Sequence, residues 1–278
     1  MDVQRLAAFT YGDRGGNPAG VVLCDTLPES ARMQAIAAEI GYSETVFAAR
    51  TPHGYRVRYF APKAEIPFCG HATIALGAAL AAKEGDGTFE LELNEGRVYV
   101  EGRCSVDGLC AALVSPPTRN SPPPDGLIKA ALTLFTLADV DLDPRIPPAI
   151  IEAGARHLLL ALRDRQTLAA MRYEMKAGAE LMRAWGFATI SLVYAETFDR
   201  IHARNPFAAG GVYEDPATGA AAAALVGYLQ VLDIEAENVE IVQGEDMGVP
   251  CLLRVTAPAL LGGGARVQGE VRHIKEAA

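Results

Sequence analysis

The stretch Glu65-Ile66-Pro67-Phe68-Cys69-Gly70-His71-Ala72-Thr73-Ile74-Ala75-Leu76-Gly77-Ala78-Ala79-Leu80 constrains the fold more than any other. A short polar turn opens a run that is apolar on every helical face. A helix that is apolar all round is a buried helix. Burial on all sides requires a sheet that wraps around it. Its first-turn N–H groups lack intrahelical partners and carry the positive end of the dipole. Where that turn meets a cavity, it is a ready anion site.

The pattern returns at Glu214-Asp215-Pro216-Ala217-Thr218-Gly219, followed by Ala220 to Leu229. Laying Gly219 on Gly70 matches Ala221 with Ala72, Ala224 with Ala75, Leu225 with Leu76 and Leu229 with Leu80. The flanks repeat as well. A helix starting at Pro28, with Met33, Ile36, Ala37 and Ile40 on its apolar face, stops at Gly41; another, Ala177 to Trp185, stops at Gly186. Two strand-like runs follow each stop: Ser43 to Ala48 and Tyr55 to Tyr59 in the first case, Ala188 to Ala195 and Arg200 to Arg204 in the second. The order helix, glycine, strand, strand, glycine, apolar helix thus occurs twice, which favours two similar halves.

The remaining strands are expected at Gln4 to Thr10, Val21 to Leu23, Phe89 to Leu93, Val98 to Glu101, Leu109 to Val114 and His157 to Leu162. Val239 to Val242, Leu252 to Val255 and Arg266 to Val271 finish the second set. Gly12 to Gly20 reads as a turn-rich loop; it is not a dinucleotide-binding fingerprint. Leu127, Ala131 and Leu134 suggest a further helix. The Pro-dense run from Ser115 to Pro124 marks a boundary. The expected organisation is α+β: residues 1–117 plus 266–278 as one half, 118–265 as the other, each a curled mixed sheet around a central helix, with an active-site cleft between them.

Composition narrows the function. Lys plus Arg is 25 against 34 Asp plus Glu, a net charge of −9. That disfavours a nucleic-acid or anionic-membrane partner. The five cysteines are scattered, with no CxxC pair, so no structural metal is expected. Reduced thiols, no signal peptide and no membrane-length apolar run together predict a cytoplasmic protein.

Three residues stand out for chemistry. Glu44 follows Gly41 at a strand start in apolar surroundings; it reads either as a surface glutamate or as a general acid/base. His71 lies in the first turn of the buried helix, where the dipole favours a neutral, hydrogen-bonding imidazole. Asp215 is either an N-terminal cap for the second helix or a partner to His71 across the cleft. Cys69 is a small buried residue or a thiolate activated by the helix start. Its repeat partner is Thr218.

Asn17-Pro18-Ala19-Gly20-Val21, Ser43-Glu44-Thr45, Pro67-Phe68-Cys69-Gly70-His71-Ala72-Thr73 and Tyr213-Glu214-Asp215-Pro216-Ala217-Thr218-Gly219 occur in that order, with Gln243-Gly244, Met247-Gly248 and Gly262-Gly263-Gly264 after them. The ordered set resembles the PhzF-like family of phenazine-biosynthesis isomerases. The resemblance implies the diaminopimelate-epimerase-like fold, a homodimer, and a proton transfer that needs no cofactor and no metal. It implies Glu44 as acid/base with His71 and Asp215 in support. It further implies that backbone at Gly70-His71 and Gly219-Ala220 holds the carboxylate of a small-molecule substrate. Many members have Ser where Ala220 stands, so this pocket lacks one hydroxyl. The leading expectation is an isomerase that moves a proton within a small amino- or hydroxy-carboxylate. The alternatives are an amino-acid epimerase or racemase of the same fold, whose members use one thiol from each half, and a non-catalytic small-carboxylate binder.

Overall fold

The computed structural model describes residues 1–106 and 108–275. The chain divides into two compact units, Met1–Val114 with Gln268–Ala278, and Ser115–Val267. The elements of the first are β1 (Gln4–Ala8), β2 (Asn17–Cys24), α1 (Ser30–Ile40), β3 (Glu44–Thr51), β4 (Gly54–Phe60), β5 (Glu65–Ile66), α2 (Gly70–Glu84), β6 (Gly87–Leu93), β7 (Gly96–Ser105) and β8 (Gly108–Val114). The second contains β9 (Arg119–Ser121), α3 (Leu127–Phe135), β10 (Ala149–Glu152), β11 (Arg156–Leu162), α4 (Arg165–Ala169), α5 (Met175–Trp185), β12 (Thr189–Ala195), β13 (Arg200–Pro206), β14 (Glu214–Asp215), α6 (Gly219–Val231), β15 (Asn238–Gln243) and β16 (Cys251–Thr256). The last strand, β17 (Arg266–His273), pairs with β1.

In the first unit β1 and β2 are antiparallel, β2 and β3 parallel, β3 and β4 antiparallel, β4 and β6 parallel, and β6, β7 and β8 antiparallel in turn. Pairing of β8 and β1 with β17 closes the sheet into a mixed barrel. The same alternation runs through the second unit: β10 and β11 antiparallel, β11 and β12 parallel, β12 and β13 antiparallel, β13 and β15 parallel, β15 and β16 antiparallel. The fold is therefore α+β with two pseudo-symmetric halves of the diaminopimelate-epimerase-like type.

Each sheet wraps one central helix. Every residue of α2 from His71 to Ala81 is buried, and so is every residue of α6 from Ala221 to Leu229. The all-round apolar pattern predicts both. Close approach sets the fit of α2. A Cβ on Gly102 of β7 would lie 2.1 Å from the backbone oxygen of Gly77, and one on Gly77 would meet Val100 at 2.5 Å. Gly41 and Gly186 cap α1 and α5 in the left-handed conformation, at φ 71° and 66°.

Four local expectations need correction. Asn17 to Gly20 is not loop but the start of β2, because its backbone pairs with β1 through Arg5, Leu6, Ala7 and Ala8. The first helix begins at Ser30, not Pro28. The Pro-dense boundary contains β9, which pairs with β10; β10 and α4 were not expected at all. In α3 the buried positions are Leu127, Ala131, Leu132 and Phe135, with Leu134 only partly covered. Among the described residues no helix is long and apolar enough to cross a membrane.

Strand register carries the repeat residue by residue. Phe60 pairs with Glu65 on β5, and Pro206 pairs with Glu214 on β14. Two residues earlier, Arg58 grips Glu65 through two hydrogen bonds of 2.8 and 2.5 Å. Arg204 grips Glu214 through two of 3.0 and 2.6 Å. Bidentate guanidinium–carboxylate pairs are geometrically demanding, so each one sets the angle at which a two-residue strand leads into its central helix. Arg204 also donates from Nη1 to the carbonyls of Ala169 and Met171, which covers both Nη1 protons within a buried site.

Candidate active site

Parallel pairing aligns strand starts at one edge of a sheet. In the first unit Glu44, the first residue of β3, pairs with Ala19 of the parallel strand β2, two residues beyond Asn17. The N-terminus of α2 brings Cys69, Gly70 and His71 to the same place.

His71 is the hub. Its Nε2 lies 3.3 Å from Glu44 Oε2, and its side chain is 8% exposed against 18% for Glu44. Asn17, buried in the sheet, donates from Nδ2 to His71 Nδ1 at 3.2 Å. The Cys69 thiol sits 3.3 Å from the same nitrogen. With Nδ1 accepting, the neutral ring carries its proton on Nε2 and directs it to the Glu44 carboxylate. Ser43 Oγ lies 3.5 Å from Nε2. Behind the helix start, Thr73 Oγ1 donates to the Cys69 carbonyl at 2.7 Å, and Tyr59 OH donates to Thr73 Oγ1 at 2.7 Å. The buried Tyr59 hydroxyl is held protonated, burial being the main cause. This chain of bonds fixes the turn in which Cys69 and His71 stand.

The second unit places Asp215 at the end of β14 and Gly219-Ala220 at the start of α6. Thr218 Oγ1 donates to Asp215 Oδ2 at 2.6 Å. Gln243, buried at the end of β15, donates from Nε2 to the Asp215 carbonyl at 2.6 Å and accepts from Thr218 N–H at 3.1 Å. Thr218 thus uses its hydroxyl on Asp215, and no thiol stands where the repeat places the partner of Cys69.

The register also shows what corresponds to Glu44 in the repeat. Phe47 pairs with Arg58 and Leu192 with Arg204, so Glu44 corresponds to Thr189. Thr189 belongs to a neutral network: His157 Nδ1 donates to Thr189 Oγ1 at 2.7 Å, and that hydroxyl donates to Asn205 Oδ1 at 3.2 Å. Burial depresses the His157 pKa to about 3. One unit therefore carries a carboxylate–imidazole pair, and the other a neutral core at the same position.

Glu44 and His71, expected as a site, do meet. Asn17, Ser43, Tyr59, Thr73 and Gln243 were not expected as site residues. Asn17, Ser43, Thr73 and Gln243 do stand in the motifs that carry the family resemblance, which give them no role; the signal of Tyr59 is its place in an alternating strand. Glu44, Cys69 and His71 offer three ligand atoms within 4.8 Å of one another.

A family model described as phenazine biosynthesis-like protein matches residues 6–271. A protein of Mesorhizobium japonicum named as an uncharacterized isomerase is 34% identical over 271 residues, covering 89% of this chain and 87% of the relative. A trans-2,3-dihydro-3-hydroxyanthranilate isomerase of Pseudomonas fluorescens is 31% identical, again covering 89% and 87%. The crystal structure of a PhzF-family phenazine biosynthesis protein of Bacillus anthracis superposes with a TM-score of 0.84 at 22% identity, covering 99% of this chain and 98% of that one. Two of these relatives are named isomerase, which supports an isomerase activity. The chain belongs to the phenazine biosynthesis-like, PhzC-PhzF family.

Proposed function

We propose that the chain is an isomerase that needs no cofactor and moves a proton within a small amino- or hydroxy-carboxylate. The observation that carries this reading is the Glu44–His71 pair at 3.3 Å, with Thr189 standing in the equivalent place of the repeat. A single carboxylate can serve as base and then as acid. Glu44 takes a carbon-bound proton, the electron pair left behind shifts the substrate double bond, and Glu44 returns the proton at the other end of the shifted bond. The net change is isomerisation with no proton gained or lost. His71, donating from Nε2, holds the carboxylate in line. Gly70 and His71 are assigned to the substrate carboxylate on the helix-start argument. Asp215, Gly219 and Ala220 are assigned supporting and carboxylate-binding roles on the family resemblance, as is the homodimeric state; the cytoplasmic location rests on the scattered cysteines and the sequence pattern.

The Pseudomonas fluorescens relative supports the substrate class, since its printed substrate carries carboxylate, amino and hydroxyl groups. The two-thiol route of epimerases is disfavoured because Thr218 occupies the place of the second thiol. The test is solvent deuterium incorporation into candidate amino- and hydroxy-carboxylates, read by mass spectrometry. Exchange that disappears in Glu44→Gln supports the enzyme. Tight binding without exchange makes the chain a binder and overturns the reading.

A further inference from the structure

We propose that Glu44, Cys69 and His71 form a binding site for a soft divalent cation, with zinc as the fitting ion, and that occupancy blocks the acid/base centre. The inhibition part rests on the isomerase reading above; the binding part does not.

The argument begins with geometry. Zinc takes sulfur at about 2.3 Å and nitrogen or oxygen at about 2.0–2.1 Å in a tetrahedron, so its ligand atoms stand about 3.3–3.6 Å apart. His71 Nε2 lies 3.3 Å from Glu44 Oε2 and 3.9 Å from Cys69 Sγ. All three ligand atoms fall within 4.8 Å of one another. The Glu44–His71 separation is already a tetrahedral edge. The Cys69 sulfur, which stands on the Nδ1 side of the ring at 3.3 Å, has to turn toward Nε2 by a change of rotamer, and three protein ligands then leave the fourth position open.

Chemistry points the same way. Thiolate, imidazole and carboxylate are the three side-chain types zinc prefers. Cys69 and His71 are both buried, so part of the site is already dry. The surroundings also supply what a metal-bound imidazole requires, a partner for its other nitrogen. Asn17 faces Nδ1 at 3.2 Å. Its amide donates through Nδ2 when Nδ1 accepts, and turned over it accepts through Oδ1 when Nδ1 carries the proton. Binding is then balanced: the Cys69 thiol loses its proton to solvent as the sulfur–metal bond forms, and the imidazole proton moves from Nε2 to Nδ1 as Nε2 joins the metal. Glu44, now a ligand, can no longer take a carbon-bound proton.

The test uses cobalt(II) as a spectroscopic probe on the full-length, metal-free chain, with zinc as competitor. One equivalent of cobalt should give the visible bands of a tetrahedral site and a thiolate-to-cobalt charge-transfer band, both removed by zinc. Cys69→Ser should lose the charge-transfer band, and Cys104→Ser, at an exposed thiol remote from the site in sequence, should keep it. Glu44→Gln should keep the band and bind cobalt at least about tenfold more weakly, since loss of even an outer-shell partner costs about 10–100-fold. Absence of the bands in the unmodified chain overturns the proposal, as does their persistence in Cys69→Ser. An unchanged cobalt affinity in Glu44→Gln overturns the three-ligand site. One equivalent of zinc should stop deuterium exchange, and a chelator should restore it. Cobalt bands in a chain without any exchange support the cation site and remove the isomerase reading. Exchange without cobalt bands does the reverse.

Discussion

The imidazole of His71 stands 3.3 Å from the Glu44 carboxylate through Nε2, while Asn17 donates to the opposite ring nitrogen. Glu44 is thereby held in place by a ring that its neighbours orient. Replacing it with Gln keeps the shape and the hydrogen bond and removes the base. Glu44→Gln should lower kcat by about 10²–10⁴-fold, the usual contribution of a positioned acid/base, with ligand affinity nearly intact. Turnover and calorimetric ligand titration measure the two effects separately. Full activity in the variant would end the assignment.

Asn17 acts through His71. Leu in its place has the same branching of heavy atoms but cannot donate to Nδ1, so the ring is free to carry its proton there and to turn an acceptor toward Glu44. Asn17→Leu should lower kcat by about 10²-fold, at the small end of acid/base effects, and change KM much less. A nitrogen-15 NMR spectrum of the histidine rings should show the change of tautomer. An unaltered His71 tautomer would reduce Asn17 to a packing residue.

Cys69 tests the thiol alternative. Its sulfur is 3.3 Å from His71 Nδ1, close enough to invite a nucleophilic or basic role. The equivalent residue, Thr218, is bonded to Asp215. Cys69→Ser should therefore keep activity within about tenfold, less than about 1.4 kcal/mol of barrier. Loss of most activity in steady-state assays would return the epimerase mechanism to first place.

What could be read in the sequence follows from what a one-dimensional pattern encodes. The buried helices α2 and α6 are legible because every face is apolar, and the stops at Gly41 and Gly186 because each needs a left-handed backbone. Glu44 and His71 stand in motifs short enough to recognise. Asn17 falls inside an expected loop, since Pro18 and Gly20 are turn residues; only pairing with β1 makes that run a strand. The Arg58–Glu65 and Arg204–Glu214 pairs depend on register between separate strands, which composition does not carry. The correspondence of Glu44 with Thr189 appears only once both registers are known.

Two glycines at α2 should behave in opposite ways. A methyl at Gly102 would press on the Gly77 carbonyl oxygen at 2.1 Å and on Ala81 at 2.9 Å, and backbone cannot yield as a side chain can. Gly102→Ala should cost about 3 kcal/mol, the upper range for overpacking, measured by urea unfolding. A methyl at Gly70 would meet nothing within 4 Å. Gly70→Ala should change stability by less than about 0.5 kcal/mol, as for an open site. If the start of α2 binds the substrate carboxylate, it should raise KM about tenfold, a loss near 1.4 kcal/mol. A destabilised Gly70→Ala with normal KM would remove the helix start from the binding site.

His157 makes the second unit sensitive to acid. Burial lowers its pKa from 6.5 to about 3, and its neighbours Thr189 and Asn205 are neutral. Above pH 6.5 the ring is neutral in both folded and unfolded chains and costs nothing. Below it, the unfolded chain takes up a proton that the folded chain refuses until pH falls to about 3. Stability is therefore lost on acidification across that window, by about 1.4 kcal/mol per pH unit at most. Trp185, the single tryptophan, packs against the same cluster as Leu158 and reports on this unit. Urea unfolding followed by its fluorescence at pH 6.5 and pH 5 should show a drop of about 2 kcal/mol from this residue alone. His157→Gln, which cannot titrate, should flatten the profile by that amount, whatever its stability at neutral pH. Parallel profiles for the two chains would show that His157 takes up its proton without unfolding.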